Sequence, residues 1–273
     1  MNLNQLLPFV TTAIMFLFVG WVFLRYSQRR SAHMLMWGIG LALFAIGSFA
    51  EAYSAFAFDP LVFRLWYLCG AVLTAAWIGQ GTVYLLLRKK WGHVTLAVLV
   101  LLSAAAALIM FTTDLQTQNF DPARPLSDQY ATKELKPDEP APAGTKVVEI
   151  DRQGQRVRTI PGIIPLGAPI RSTTAIFNIY GTLALVGGAL YSTYLFWRKR
   201  VMGNRVIGNI LIAAGALSIA SASTLTRLGY GGYLYLGELI AAVAMFAGFI
   251  IASRRAQDSL EREPMPAQAA SST

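Results

Sequence analysis

Charged residues are scarce in this 273-residue chain, at 14% of the total, against about a quarter in an average soluble domain. A water-facing globular surface is hard to build from so few. A single cysteine, Cys69, excludes an intrachain disulfide. The two histidines, His33 and His93, do not form the His-Glu-x-x-His pattern that brings two imidazoles to one zinc. Each lies among basic residues at the end of an apolar run, which suits a solvated interfacial role better than haem ligation. No Gly-x-Ser-x-Gly elbow and no Gly-x-x-x-x-Gly-Lys phosphate loop occurs. The expectation is a protein that is not an enzyme and has no metal or cofactor.

Hydrophobic residues make up 55% of the chain, in uninterrupted runs of about twenty, the length that crosses a bilayer as helix. Seven such runs are read at roughly 5–25, 34–56, 62–87, 93–113, 173–197, 205–226 and 232–253. Backbone amides at membrane depth must bond within their own segment, so these runs are helices and not barrel strands. The predicted fold class is an all-α seven-transmembrane bundle. The net charge of +9 sits in the short connections and not in a stripe interleaved with aromatics, so a lipid bilayer is the expected partner and nucleic acid is not.

Charge position also predicts direction. Arg25, Arg29 and Arg30 follow the first run; Arg88, Lys89 and Lys90 the third; Arg198, Lys199, Arg200 and Arg205 the fifth; Arg254, Arg255 and Arg262 the seventh. By the positive-inside rule these are cytoplasmic, placing the N-terminus outside and the C-terminus inside a bacterial cytoplasmic membrane. The first run is of spanning length and lacks a basic lead, so it is not read as a cleavable signal peptide.

Shifting the chain by 168 residues lays spans 1 to 3 over spans 5 to 7. Gly20 then meets Gly188, Arg30 meets Arg198, Gly40 meets Gly208, Gly47 meets Gly215, and Tyr67-Leu68 meets Tyr235-Leu236. A parallel 3+1+3 repeat is one reading and chance coincidence in a Gly/Ala/Leu-rich chain is the other. Organisation follows: helices 1 to 4 in 1–113, an extracytoplasmic loop in 114–172, helices 5 to 7 in 173–253 and a disordered cytoplasmic tail in 254–273. The long loop carries eight basic and eight acidic residues. Its residues 146–160, with Gly154 at the turn, have a β-hairpin pattern. The hairpin and the uncharged stretch Gly162–Gly167 are expected either to form a lid or to serve as a solvated spacer.

Ionisable groups within spans are costly and mark functional positions. Glu51, Arg64, Arg227 and Glu238, with Tyr67, Asn178 and Tyr180, all fall in the outer half and form the predicted ligand-binding set. In that set Glu51 and Glu238 act as acceptors, and Arg64 and Arg227 as anion-binding or neutralising donors. The competing reading pairs Glu51 with Arg64 and Glu238 with Arg227 only to cancel charge. Gln80 and Thr82 lie deeper and read as interhelical hydrogen-bond partners.

No lysine falls inside a span, so the retinal linkage of microbial rhodopsins has no anchor. The stretches Gly38-Ile39-Gly40 to Glu51-Ala52-Tyr53 and Leu65-Trp66-Tyr67-Leu68 to Ala75-Ala76-Trp77, with the topology, resemble the seven-transmembrane sensor module of bacterial histidine kinases. That resemblance implies a receptor or sensor binding an unknown small ligand at its outer face, with output through a cytoplasmic or membrane signalling partner, since no effector domain follows span 7. A secondary transporter of 3+1+3 type and an accessory subunit of a larger membrane complex are the alternatives.

Overall fold

The computed structural model describes residues 3–121, 126–135, 138, 140–141, 146–152, 154–198, 203–227 and 233–258. Seven of its helices are long and apolar enough to cross a membrane: α1 (Leu3–Arg29), α2 (Ala32–Ser54), α3 (Pro60–Leu86), α4 (Lys89–Thr112), α5 (Pro169–Arg198), α6 (Gly203–Arg227) and α7 (Leu234–Asp258). The chain is an all-α, multi-pass membrane protein.

Helix ends follow local chemistry more than hydropathy. Asp59 accepts from the Leu61 and Val62 amides at 2.8 and 3.0 Å with Pro60 in the first turn, so α3 starts ahead of its apolar run. Lys89 and Lys90 are taken into the start of α4, where long cationic side chains can reach the lipid interface. At the far end, α7 continues through Asp258, beyond the apolar run, and residues 259–273 of the expected tail lie outside the described residues.

Six helices close a ring: α1 packs on α2, α2 on α3, α3 on α5, α5 on α6, α6 on α7, and α7 returns to α1. Helix α4 leans on α3 from outside and keeps Val98, Leu101 and Leu108 exposed, a face that matches lipid. Missing side chains allow the close approaches. A Cβ at Gly40 would lie 2.6 Å from the Ile78 amide nitrogen, and one at Gly47 would lie 2.7 Å from the Gly70 Cα, so both set α2 against α3. In the second triplet Gly208 faces Gly248 and Gly215 faces Met245, setting α6 against α7 in the same way.

Within α3, Trp66–Leu73 winds as π-helix. The Thr74 hydroxyl donates to the Cys69 carbonyl at 2.7 Å. This wider turn changes the direction in which Trp66 and Tyr67 project, and such turns are frequent at functional sites.

Between α4 and α5 the chain folds back as a cap on one end of the ring, here termed the loop end. The opposite end, where α1–α2, α3–α4 and α5–α6 join, is termed the basic end. Strand β1 (Lys133–Glu134) pairs antiparallel with β3 (Gln155–Ile160), which pairs antiparallel with β2 (Val148–Arg152). Gly154 takes φ +83° at the β2–β3 turn, where its amide bonds the Asp151 carboxylate at 2.9 Å. The hairpin tip is exposed and the cap base is not. Leu126, Ala131, Ile163 and Ile164 are buried in one cluster with Phe63, Trp66, Tyr67 and Met110. Ordered hydrogen bonds satisfy the base: Gln129 bonds the Asp121 amide and carbonyl at 2.7 and 2.8 Å, and Ile163 and Ile164 amides donate to the Gln129 and Tyr130 carbonyls. These partners are what make a buried loop affordable.

Candidate functional site

The seven residues singled out by sequence fall into distinct environments. Glu51, in the last turn of α2, and Glu238, in the second turn of α7, are neighbours across the ring. Glu51 is 3% exposed, while Glu238 is partly accessible. Trp66 from the π-helical turn and Tyr235 from α7 flank Glu51 as donors, but neither contact reaches well-formed hydrogen-bond geometry at the Glu51 oxygens. Two carboxylates are both acceptors and cannot bond each other directly. A bond between them requires a proton or another cation in the gap. Above the pair, Ser127 of the cap meets Tyr235, and Ser127 is fully buried.

Arg64 is directed elsewhere. Its Nη1 donates to the Met110 carbonyl and its Nη2 to the Thr113 carbonyl at 2.9 Å, so the guanidinium closes the C-terminal end of α4. Carbonyls left without helical partners there attract a cation. Arg227 ends α6, and its side chain lies outside the described residues. Among the described residues no cation meets Glu51 or Glu238.

Tyr67, Asn178 and Tyr180 tie α3 to α5. The Thr174 hydroxyl lies 3.1 Å from the Tyr67 hydroxyl, Asn178 donates to the Ala71 carbonyl at 2.9 Å, and Tyr180 donates to Gln80 at 2.6 Å. Gln80 in turn donates to the Gly92 carbonyl and the Thr95 hydroxyl, joining α3, α4 and α5. The Asn178 contact uses a carbonyl inside the π-helical turn, where the helical ladder is disturbed. These side chains have protein partners and act as interhelical links.

Sequence reasoning missed Trp66, Tyr235 and Ser127 as neighbours of the acids. Tyr235 had a signal, its coincidence with Tyr67 at the 168-residue offset. Ser127 had none, because burial of a polar loop depends on tertiary hydrogen bonds. Thr11 and Ser48 also present buried hydroxyls without partners, Ser48 one turn before Glu51 on α2.

A cavity of about 50 Å³ lies in the basic half of the ring, and every ring helix contributes to its wall: Phe18 from α1, Trp37 from α2, Ile78 from α3, Ser192 from α5, Asn209 from α6 and Phe249 from α7. Trp37 therefore faces inward, its Nε1 3.4 Å from the Thr82 hydroxyl, and not toward a lipid interface. No protein-family model matches the chain, and no curated protein matches it in sequence.

Proposed function

We propose that this is a sensor-type membrane protein that takes one monovalent cation between Glu51 and Glu238 beneath the cap and passes the change to a partner through small shifts of the ring. The observation that carries this reading is Glu51, buried, with neither oxygen in a well-formed hydrogen bond and beside a second carboxyl group. A like-charged pair in a low-dielectric site is relieved by a cation held between the two groups. The charge distribution favours a cap exposed outside a bacterial cytoplasmic membrane, with the basic end in the cytoplasm. The matched glycine contacts of α2 on α3 and of α6 on α7 support a 3+1+3 origin, with α4 as the added helix.

The sensor reading also draws on the apolar layer between the two ends. Met15, Phe44, Ala45, Ala216 and Ala242 are buried together at that level, and Gln80, fully buried, is engaged by its neighbours. Proton and sodium ion share the required chemistry, and one experiment separates them. Hydrogen exchange of residues 126–135 is followed in the full chain in nanodiscs, varying pH at fixed sodium and sodium at fixed pH. Cap exchange should slow with one of the two and lose that response in Glu51→Gln. Cap exchange indifferent to both cations overturns the reading.

A secondary carrier is the second reading, favoured by the cavity on the ring axis. Proteoliposomes loaded with a pH dye or supplied with radioactive sodium decide between the two: Glu51-dependent flux selects the carrier, and a cap response without flux selects the sensor.

A further inference from the structure

We infer that the cation of the acid pair is a sodium ion, held by the Glu51 carboxylate together with the hydroxyl oxygens of Thr11 and Ser48. This rests on the reading of Glu51 and Glu238 as a cation site, and it adds to that site a third helix, α1, and two neutral ligands.

The first argument is the state of the two hydroxyls. Thr11 is fully buried and Ser48 is 2% exposed, and among the described residues neither hydroxyl has a hydrogen-bond partner. A helical Ser or Thr has a ready acceptor in the carbonyl four residues back. Thr12 uses it, donating to Pro8 at 2.7 Å; so do Ser54, to Ala50, and Thr174, to Ile170, both at 2.8 Å. Thr11 and Ser48 leave it unused. Buried hydroxyls without partners are costly, and a bound ion beside Glu51 accounts for both.

The second argument is position. Phe18, Leu41 and Met245 line one axial cavity, and seven residues from each toward the loop end stand Thr11, Ser48 and Glu238. Seven residues rise about 10.5 Å and return to within about 20° of the same direction. The three side chains therefore leave from the inner face of the ring, within about a turn of one another in height. Two ring contacts fix the register of Thr11. Phe18 stacks on Phe246 at 4.9 Å, which in the parallel pair α1 and α7 brings Thr11 level with Leu239, beside Glu238. In the antiparallel pair α1 and α2, Phe9 meets Phe56 at 5.4 Å and Gly38 approaches Phe23, which sets Thr11 opposite residues 50–54 and their Glu51. Helix α1 lies between α2 and α7 in the ring, so Thr11 completes the wall between the acids. Ser48, one turn below Glu51, forms the floor above the apolar layer.

The third argument is chemistry. A proton shared by the carboxyl groups leaves Thr11 and Ser48 unmet, whereas a hard metal cation engages their lone pairs as well as the carboxylate. Softer metals favour thiolate or imidazole ligands, and neither cysteine nor histidine occurs on α1 or α7. Calcium takes about six to eight oxygens and magnesium keeps several waters. The oxygens of Glu51, Thr11 and Ser48 are too few for the first and too deeply buried for the second.

The test uses radioactive sodium and the immobilised full chain in nanodiscs, read by scintillation proximity at fixed pH. Binding should saturate, should be lost in Glu51→Gln, and should weaken roughly threefold or more in both Thr11→Val and Ser48→Ala. Thr12→Val, whose hydroxyl is already bonded to the helix, should bind as the parent does, and Thr11→Ser should retain most of the affinity. Potassium and calcium should compete poorly. Sodium binding that needs Glu51 but is unchanged in Thr11→Val and Ser48→Ala overturns the inference, as does competition by potassium or calcium equal to that by sodium. If no sodium binds while cap exchange still follows pH through Glu51, the inference falls and the cation reading stands with a proton. If cap exchange ignores both cations as well, the two fall together. Should Thr11→Val fail to fold, Ser48→Ala, which removes an oxygen without a protein partner, is held to the same threefold criterion.

Discussion

Arg64 and Glu51 have opposite charges at the same end of the bundle, and position along the chain makes them natural partners. Backbone geometry decides otherwise. The α4 terminus offers Arg64 two carbonyls with no helical partner, and charge-assisted bonds to such acceptors are stronger than neutral ones. Arg64→Ala should therefore destabilise the protein by about 1–3 kcal/mol, seen as faster hydrogen exchange at the end of α4, with the cation response of the cap intact. If Arg64 neutralised Glu51, that response would change instead. Glu51→Gln should act in the opposite direction on stability. The amide can donate to Glu238 and removes one like charge, so thermal unfolding without added sodium should rise by the equivalent of about 1–3 kcal/mol. The acids were legible in the sequence because carboxylates within apolar runs are rare. The destination of Arg64 was not, since main-chain acceptors at a helix end have no residue code.

At the scale of the element, the seven spans were readable from hydropathy because lipid imposes a length on each. Contacts between them were readable only in part. Gly40, Gly47, Gly208 and Gly215 stood out by their repeat, whereas Gly181, whose added Cβ would lie 2.2 Å from the Ala75 carbonyl carbon, had no such pattern to mark it. Nor did composition mark the π-helical turn, which depends on how α3 is held by α2 and α5. The glycines make a sharp comparison. Gly40→Ala puts a methyl group against the Ile78 backbone and should lower stability by roughly 1–3 kcal/mol, whereas Gly20, with open space around it, should gain about 0.5–1 kcal/mol as Ala through helix propensity. Thermal unfolding of the two variants beside the parent checks both signs. A destabilised Gly20→Ala would mean that this face of α1 meets a partner.

The whole molecule combines two unlike ends. One is covered by a cap whose base is held by hydrogen bonds to its own backbone at Gln129, Ile163 and Ile164, which a mixed-charge loop sequence does not announce. The other is a collar of Arg and Lys around short connections. Their asymmetry makes orientation the prediction with the widest consequence, because the acid pair and the axial cavity exchange compartments if the bundle is inverted. Cys69 is the single thiol and is buried, so Cys69→Ser gives a silent background. Glu149 on exposed β2 and Lys90 at the start of α4 are both exposed and lie at opposite ends. Glu149→Cys should react with a membrane-impermeant maleimide in intact cells, and Lys90→Cys only after permeabilisation. The reverse pattern would place the collar outside, against the preference of cationic segments for the cytoplasmic face, and would move the acid pair to the cytoplasmic side. Labelling at both positions in intact cells would signal mixed insertion, and neither site could then be assigned to one compartment.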